Sequence, residues 1–406
     1  MDEPCQPFRH PCPQALSRGL VLLFAFCCGA IVANIYYAQP IIELIAPDVG
    51  ISTHGASLIV SLTQVGYALG LFFLVPLADL LENRRLMLAT LCVSVLALVG
   101  MALADAPAVL LLVSALIGFS SVSVQMLIPL AAHLAPEESR GRVVGGIMGG
   151  LLLGILLARP LSSVVADHFG WRAVFFGAAG LMLLIALVMA MALPSRRPDH
   201  RASYGQLLAS LWHLFRREPV LRQRSLYQAL MFGTFSLFWT AVPVELARNH
   251  GLSQSQIALF ALVGAIGAVA APIAGRLADA GHTRSMSRCA MLLAMLSFLP
   301  ALFGLPWGVV GLALTGVLLD FAVQMNMVLG QREVYALDAA SRGRLNALYM
   351  TSIFIGGAVG SSIASLLYEQ GGWLAIAALG AALPLLALVA FGLHTRLATR
   401  SQVQAG

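Results

Sequence analysis

Two ionisable side chains lie inside long apolar segments of this chain, where a charge has few partners. Asp320 lies near the middle of segment 307–334, and Arg159 lies nearer one end of segment 142–166. A charge at the centre of a bilayer costs about 2.5–3.5 kcal/mol, so each is expected to face a partner or a cavity. A carboxyl group there is suited to take up and release a proton, and a nearby guanidinium would respond to that change of charge.

Asp320 and Arg159 are therefore predicted to form a charge pair that changes when a proton is taken up or released. At about 1.5 Å per residue, Arg159 lies roughly 12 Å and Asp320 roughly 20 Å from the same membrane face, a difference that a long arginine side chain largely bridges. Gln324 and Gln331 extend a polar stripe beyond Asp320. Alternatives stay open: Arg159 extends toward the membrane surface or meets a substrate anion, and Asp320 is a structural residue.

The composition is that of a membrane protein. The chain is 59% apolar and 10% charged, whereas soluble domains are about 25% charged. The first apolar run is longer than the core of a signal peptide and has no clear cleavage site, so we interpret it as a retained span. Although the net charge is +6, every basic residue other than histidine is an arginine and none clusters on a soluble domain. A nucleic-acid partner is therefore not expected.

The apolar segments predict an all-α membrane protein with twelve transmembrane helices, since a span needs about 20 apolar residues. The predicted spans are 18–46, 54–80, 86–104, 107–134, 142–166, 172–193, 225–248, 253–279, 285–304, 307–334, 345–368 and 373–394. They form two six-helix bundles, 18–193 and 225–394. An N-terminal tail (1–17), a basic linker with an amphipathic helix (194–224) and a C-terminal tail (395–406) complete the predicted organisation.

The two halves repeat each other. Ser139-Arg-Gly-Arg142 returns as Ser341-Arg-Gly-Arg344, and Gly170-Trp171 returns as Gly372-Trp373, each 202 residues later. Two similar membrane halves can move about a site between them, which is typical of secondary transporters. A ladder of small residues in span five and its counterpart in span eleven predict close helix packing, at the seam between the halves or elsewhere. Glu43 and Glu245 are also related by this offset and are predicted at the outer mouth, as gating or simply solvated carboxylates.

The arginines predict the orientation. Arg172 and Arg248 fall on one side of the membrane and Arg159 lies within a span, while every other arginine falls on the opposite side. Because arginine is enriched in cytoplasmic loops, both termini are predicted to be cytoplasmic. The expected location is the bacterial inner membrane.

Enzymatic signals are weak. The chain has no lysine, so it cannot complete a phosphate-binding loop that ends in Gly-Lys-Ser/Thr. No two histidines flank a glutamate at metalloprotease spacing, and the six cysteines do not suggest a disulfide framework. We expect neither an enzyme nor a metal or other cofactor.

The architecture resembles the major facilitator superfamily, and the turn between spans two and three carries its marker. That family's pattern is Gly-x-x-x-Asp-Arg/Lys-x-Gly-Arg-Arg/Lys. Here Val75-Pro-Leu-Ala-Asp79 is followed by Arg84 and Arg85, and Gly275-Arg-Leu-Ala-Asp279 is followed by Arg284. The resemblance implies that Asp79, Arg84, Arg85, Asp279 and Arg284 gate the transporter through charge pairs that break when it opens; signalling of topology alone is the alternative.

A narrower resemblance is to bacterial drug, sugar and nucleoside efflux proteins among the twelve-span drug/proton antiporters. It rests on the segments 34–40, 151–159 and 344–350. The chain departs from that branch in two ways: Ser114 stands where an arginine is common, and Arg159-Pro160 replaces a Gly-Pro element.

The superfamily resemblance also implies a cavity lined by spans one, four, seven and ten. Several polar residues in the predicted spans are candidate cavity linings or, alternatively, interhelical hydrogen-bonding groups. They are Asn34, Tyr36, Tyr37, Gln39, Gln125, Gln324, Asn326 and Tyr349.

The favoured function is proton-coupled efflux of a small organic molecule by alternating access. We expect a monomer whose partners are the substrate, protons and the lipid bilayer. Proton-coupled or facilitated uptake is one alternative. A transport-inactive membrane sensor or scaffold is another, and such a protein is expected to carry an extra soluble domain or a long tail.

Overall fold

The computed structural model describes residues 18–136, 139–193, 195, 203–264, 270–302, 308–338 and 341–405. The predicted N-terminal tail and most of the linker segment that precedes residue 203 lie outside the described residues. Within them the regular elements are helices, and no strand occurs.

The first half comprises α1 (Arg18–Ala33), α2 (Ile42–Asp48), α3 (Leu58–Phe73), α4 (Asn83–Leu103), α5 (Pro107–Ser120), α6 (Val124–Leu134), α7 (Arg140–Phe169) and α8 (Trp171–Ala192). The linker contains α9 (Tyr204–Arg217). The second half comprises α10 (Pro219–Arg248), α11 (Gln254–Ala261), α12 (Ala270–Asp279), α13 (Thr283–Leu296), α14 (Leu299–Leu302), α15 (Gly308–Leu337), α16 (Arg342–Ser362) and α17 (Ala364–Ala405). Short 3-10 helices span Gln39–Ile41, Thr53–Gly55, Val75–Asp79 and Ser121–Ser123.

Each predicted span is occupied by one helix or by two helices in succession. Eight of the described helical segments are long and apolar enough to cross a membrane, and Arg18–Ala33 and Gln254–Gly264 are shorter apolar helices. The helical part of the second half begins at Pro219, within the predicted linker, and α17 continues to Ala405, through the predicted C-terminal tail.

Local chemistry explains where the helices break. The repeated Gly-Trp pairs mark the boundary between consecutive spans, since Gly170 and Gly372 adopt positive φ angles of 80° and 58°. Glycine tolerates that left-handed backbone at a helix end without a Cβ clash. Between α5 and α6, Ser121 turns its hydroxyl back to donate to the Ile117 carbonyl at 2.7 Å. Such side-chain bonds compete with the helical ladder and bend it.

The linker helix α9 has an N-terminal capping box formed by Ser203 and Gln206, which satisfies two backbone donors at the helix start. Leu207 and Leu211 on one of its faces are buried, while Trp212 is exposed. The helix therefore lies against the bundle as an amphipathic element.

The interior of the bundle is organised around α10. In an apolar 18-residue stretch of α10, 83% of the residues are buried inside the protein, whereas the buried share of the corresponding stretch of α7 is 22%. Helix α10 packs on α15, α16 and α17, whereas α1 packs on α7, and α3 packs on both α5 and α16. Because α3 and α16 belong to different halves, the two repeats meet along this contact.

The ladders of small residues pack within each half and not at the seam between the halves. A Cβ added to Gly150 would lie 2.4 Å from the carbonyl oxygen of Ala25 in α1. In the second half, a Cβ added to Gly360 would lie 2.0 Å from the carbonyl oxygen of Gly233 in α10. The ladders thus bring α1 against α7 and α10 against α16, as small residues in membrane helices do.

We call the end of the bundle that carries Arg84, Arg140, Arg216 and Arg342 the arginine-rich end. The end that carries Glu43, Asp48 and Arg248 is called the opposite end.

Candidate functional site

Asp320 lies in the interior of α15 and is 9% exposed. Its Oδ1 atom accepts a hydrogen bond from Nε1 of Trp239 in α10, at 2.8 Å. The residue also lies directly beside Gly264, since a Cβ added there would be 2.7 Å from Oδ2. The carboxylate therefore accepts a hydrogen bond from the Trp239 indole on one side and packs against the backbone of Gly264 on another.

Arg159 lies in α7 and is 4% exposed. Its Nε donates to Oε1 of Gln39 at 2.8 Å. Three aromatic rings surround the guanidinium carbon, with centroids at 4.5 Å for Trp239, 5.0 Å for Tyr36 and 5.3 Å for Phe235. Such cation–π contacts stabilise a desolvated guanidinium. One donor atom, Nη2, is buried and has no hydrogen-bond partner among the described residues.

The charges of Arg159 and Asp320, which the sequence predicts to form a pair, interact with each other but not through a direct contact. No hydrogen bond or ion pair within 4.0 Å joins these two described residues; both instead contact Trp239. The indole ring meets the guanidinium, and its N–H group meets the carboxylate. An indole has a negative face and a polar N–H edge, so it interacts favourably with both charges at once.

The cluster joins the two halves of the molecule. Arg159, Tyr36 and Gln39 belong to the first half, and Trp239 and Asp320 belong to the second. Gln39 adds a second link, because its Nε2 donates to Oγ1 of Thr240 at 3.3 Å. We call Tyr36, Gln39, Arg159, Phe235, Trp239, Thr240 and Asp320 the Arg159–Asp320 cluster.

Of the predicted cavity residues, only Tyr36 and Gln39 contact Arg159. Two others bond to neighbouring helices: Gln125 donates to the Tyr67 hydroxyl at 3.2 Å, and Asn326 donates to Gln228 at 2.6 Å. These bonds match the interhelical alternative of the sequence analysis.

The remaining predicted cavity residues differ in their surroundings. Asn34 is 2% exposed, and in the part of the chain that the structure describes neither its amide nitrogen nor its amide oxygen has a hydrogen-bond partner. Tyr37 is buried and Gln324 is half-buried. Tyr349 is fully buried and donates to the Met327 carbonyl at 3.3 Å, which places it in the contact between α16 and α15.

The predicted gating residues lie at the arginine-rich end. Arg84 donates to the Ala190 carbonyl of α8, and Arg85 pairs with Glu82 at 2.9 Å, so both contacts stay within the first half. Asp79 ends the 3-10 helix Val75–Asp79. In the second half, Arg284 is exposed near the start of α13. Asp279 ends α12, and its side chain lies outside the described residues.

The two predicted mouth carboxylates are bound and not simply solvated. Glu43 pairs with Arg248 at 2.7 Å across the two halves. Glu245 is 7% exposed and accepts hydrogen bonds from Tyr368 at 2.6 Å and from Asn249 at 2.9 Å. These contacts tie the opposite end together.

The structure is closed at the opposite end. Several hydrogen bonds that directly join the halves lie between that end and the middle of the bundle. Examples are the Glu43–Arg248 pair and the bond from Gln64 to Ser236 at 2.8 Å. Toward the arginine-rich end, the halves are connected through α9, which receives a bond from Arg344.

Sequence reasoning missed the residue that connects the cluster. Trp239 lies inside a span, whereas membrane tryptophans are enriched at the interfaces, and this position was a usable signal. The repeat gave another, since the 202-residue offset relates Trp239 to Tyr37 and Phe238 to Tyr36. Aromatic residues therefore occupy this level in both halves.

A second missed feature is a buried ion pair. Arg224 is 4% exposed and donates to Glu333 at 2.7 Å and to Ser287 at 2.8 Å. This network joins α10, α15 and α13 within the second half. Among the described residues, no group of three potential metal ligands is present.

Comparisons with known proteins agree on one family. A family model described as Major Facilitator Superfamily matches residues 21–336 and 225–405. The chain is 40% identical over 382 residues to "Uncharacterized transporter YgaY" of Escherichia coli O157:H7, covering 93% of this chain and 97% of that protein. It is 32% identical over 370 residues to "Probable transporter SCO4007" of Streptomyces coelicolor, covering 91% and 86%.

Among solved structures, the fold is similar to a crystal structure of a mutant of the nucleoside transporter NupG. The TM-score is 0.73 at 13% sequence identity, and the match covers 91% of this chain and 98% of that one. Similarity at this identity concerns the fold alone.

Proposed function

From the premise that this chain belongs to the Major Facilitator Superfamily, we propose that it exports a small organic molecule in exchange for protons. Membership establishes the predicted fold and a transporter, not an enzyme. Coupling to protons and the outward direction are our proposal. A monomer suffices for it, because one chain supplies both halves of the Arg159–Asp320 cluster.

One observation carries the proposal: a buried carboxylate and a buried guanidinium from different halves meet on the same indole. Ionisable residues inside a membrane protein mark transport pathways and proton relays. Because the two halves must separate here for the opposite end to open, the charge state of Asp320 bears directly on that opening.

The proposed exchange follows from competition at Asp320. A hydrogen bond from Trp239 to an ionised carboxylate is roughly twice as strong as one between neutral groups. Protonation weakens that bond and removes the negative charge that balances Arg159. A substrate that binds Asp320 and stacks on the aromatic rings has the same effect. Proton and substrate therefore occupy the site alternately, which is the requirement for antiport.

The orientation gives the exchange its direction. We place the arginine-rich end in the cytoplasm of a bacterial inner membrane, with both termini on that side. A structure closed at the opposite end would then be the state that loads an exported substrate. The unpartnered amide of Asn34 is a candidate contact for that substrate, since a buried amide without a partner is costly.

The gating residues complete the proposed cycle. Arg84 and Arg85 make their contacts within the first half. We propose that these two residues, with Asp79, Asp279 and Arg284, form new charge pairs when the arginine-rich end closes. The Glu43–Arg248 pair would break in the same step.

The test uses purified protein in vesicles loaded with the pH indicator pyranine. Organic cations, neutral sugars and nucleosides, and carboxylates are added outside, and the internal pH is recorded against protein-free vesicles. Antiport predicts that the transported compound makes the vesicle interior more alkaline, because each entering molecule releases protons. Entry of a radiolabelled substrate without any pH change would contradict proton coupling.

One observation favours a second candidate, proton-coupled uptake. The unpartnered Nη2 of Arg159 is suited to bind an anionic group of a substrate once Asp320 is protonated. Proton and anion would then move together. In the same assay this predicts that the vesicle interior becomes more acidic, so the sign of the change separates the two functions.

A further inference from the structure

An apolar groove of about 550 Å³ opens between the two halves on the side of the arginine-rich end. Its walls are α3 of the first half and α16 of the second, and α9 crosses its end. Residues that line it include Leu69, Phe73, Trp212, Phe215, Ile355 and Val359.

Four hydroxyl residues line the groove, and the three serines among them donate to helix carbonyls, whereas the buried Thr351 hydroxyl has no hydrogen-bond partner among the described residues. Ser352 donates to the Leu348 carbonyl at 2.9 Å, and Ser362 donates to the Val359 carbonyl at 2.8 Å. Ser61 donates to the Ala358 carbonyl at 2.9 Å. The exposed walls are thus hydrocarbon, and a polar solute would lose hydration there without gaining partners. The chemistry fits an acyl chain.

The dimensions of the groove fit one leaflet of a bilayer. Along α3 it extends from Ser61 to Phe73, which corresponds to about 18 Å at ~1.5 Å per residue. Half of the hydrocarbon core of a bilayer is about 15 Å. The groove therefore runs from the membrane centre to the surface at the arginine-rich end.

Helix α9 is held firmly at the surface end of the groove. The Tyr204 hydroxyl donates to the Phe73 carbonyl at the end of α3, at 2.9 Å. Arg344 of α16 donates to the Ser210 hydroxyl at 3.0 Å. Since α9 is bonded to both walls, its aromatic residues Trp212 and Phe215 stay at the groove.

Positive charge follows these aromatic residues in α9. The guanidinium of Arg216 lies 5.4 Å from the ring centroid of Trp212, and it has no ion pair with any described carboxylate. Arg217 is exposed, and its ion pair within the described residues is a 3.7 Å contact with Glu218. An apolar groove that ends at exposed arginines is complementary to a molecule with hydrocarbon chains and an anionic head.

We propose that this groove binds an anionic phospholipid of the leaflet at the arginine-rich end. One acyl chain lies between α3 and α16, and the headgroup phosphate meets Arg216 and Arg217. Because the chain occupies space between the halves, the bound lipid stabilises the state in which this end is parted. Anionic lipid therefore favours the conformation described here over the opposite one.

Native mass spectrometry of the full-length protein in detergent tests the proposal, with dioleoyl phosphatidylglycerol and dioleoyl phosphatidylcholine as probes. We expect retention of phosphatidylglycerol over phosphatidylcholine. The Arg216→Gln variant should lower that preference roughly fivefold, the effect of one arginine near an anionic lipid. The matched control, Arg396→Gln, changes an exposed arginine at the end of the last span and should leave the ratio unchanged.

Two variants fill the groove itself. Ile355→Trp and Val359→Trp replace wall residues that are 52% and 59% exposed, and each should reduce bound phosphatidylglycerol at least fivefold. Leu96→Trp, on the exposed face of α4, is the control for a large residue on the lipid-facing surface. Equal lipid retention by all three would overturn the groove assignment.

Two further results would also overturn the proposal. One is an unchanged headgroup preference in the Arg216→Gln variant. Because Arg216 is exposed, this variant is expected to fold, so it tests the proposal even if the variants that fill the groove do not fold. The other is release of a bound hydrophobic compound other than phospholipid from the wild type, which would make the groove an entry path for substrate.

Discussion

The two halves of this transporter use one mirrored position in opposite ways. Gly118 of α5 and Asp320 of α15 are related by the 202-residue offset. A Cβ added to Gly118 would lie 1.8 Å from the Thr63 carbonyl oxygen, so α5 and α3 are in backbone contact there. In the second half, the carboxylate of Asp320 occupies the corresponding space beside Gly264. One half is closely packed where the other holds a charge.

Arg159 and its mirror residue Ser361 show the same contrast. Ser361 is fully buried; its hydroxyl lies 2.9 Å from the Gly357 carbonyl of its own helix and 3.3 Å from Oε1 of Gln64 in the other half. Arg159 also extends to the other half, but it brings a charge there and contacts Trp239. The duplication supplies two similar bundles, and the proposed coupling site occupies positions where the copies have diverged.

A third mirrored pair lies at the opposite end. Trp171 donates its Nε1 hydrogen to Asp48 at 2.9 Å, whereas Nε1 of Trp373 is buried with no hydrogen-bond partner in the described ranges. The mirror residue of Asp48 is His250, which lies 3.7 Å from Glu245. At this pair of positions the tryptophan of the first half makes the hydrogen bond. Differences between the two copies therefore add contacts to the first half as well as to the second.

The Gly118→Ala variant tests the close packing of the first half and is expected to cause a large loss of stability. Its new methyl group would overlap the Thr63 carbonyl, and overpacking costs about 1–3 kcal/mol or more; we expect the upper end. The midpoint of thermal unfolding in detergent should fall sharply.

Gly177→Ala is the matched control, because a Cβ added at Gly177 meets no atom within 4 Å. That change should leave the midpoint unchanged or raise it, as alanine favours helix by ~0.5–1 kcal/mol. Equal midpoints for the two variants would contradict the close contact of α5 with α3.

The Arg224→Leu variant removes a buried cation whose mirrored residue in the first half is Leu22. Leaving one partner unpaired costs about 3–5 kcal/mol, and we expect the lower end because the Glu333 side chain is 34% exposed. The midpoint of thermal unfolding should drop.

A double variant, Arg224→Leu with Glu333→Ala, copies the mirrored residues Leu22 and Ala131. Replacing both partners of a buried pair by apolar groups is often neutral, so the double variant should unfold close to the wild type. A double variant as unstable as Arg224→Leu would show that the pair itself stabilises the second half.

The Trp239→Phe variant sharpens the role of the indole donor. Phenylalanine keeps an aromatic face for Arg159 but cannot donate to Asp320, and a hydrogen bond to a charged group contributes about 1.5–3 kcal/mol. We expect accumulation driven by a pH gradient to fall at least tenfold in vesicles. Trp373→Phe, which removes a donor without a partner, should transport normally; the account fails here if both variants behave alike.

Asp48 gives the smallest expected effect, through pH. Hydrogen bonds from Trp171 and Arg172 lower the pKa of Asp48 below its ordinary value. A carboxylate with a lowered pKa stabilises the fold above its unfolded pKa, near 4, and this contribution is lost as the pH falls below that value. Asp48→Asn should therefore flatten the decline of the thermal midpoint below pH 4. The shift at neutral pH should stay within about 2 °C, and an unchanged decline would contradict the assignment.

Much of this architecture was predictable from the sequence, because membrane spans and duplicated motifs are local patterns. The apolar segments gave the spans, and the offset between the Gly170-Trp171 and Gly372-Trp373 pairs related the halves. The same patterns singled out Asp320 and Arg159 as unusual. Each of these inferences needs only the order of residues along the chain.

The contacts between those residues were not predictable. Depth in the membrane placed Asp320 largely within reach of the Arg159 side chain, but it gave no information on which side chain lies between them. Trp239 takes that position because α10 passes through the interior, which depends on the packing of helices distant in sequence. Burial of Glu245 was missed for the same reason, since its partner Tyr368 is 123 residues away.

The central claim is that Asp320 couples transport to protons, and vesicle transport by Asp320→Asn tests it most directly. The asparagine keeps an acceptor for Trp239 but cannot carry a proton. We predict that this variant still exchanges radiolabelled substrate across the membrane but no longer accumulates it against a gradient when a pH difference is imposed. Asp105→Asn, at an exposed loop position, should behave like the wild type. Accumulation by Asp320→Asn at the wild-type level would contradict the account.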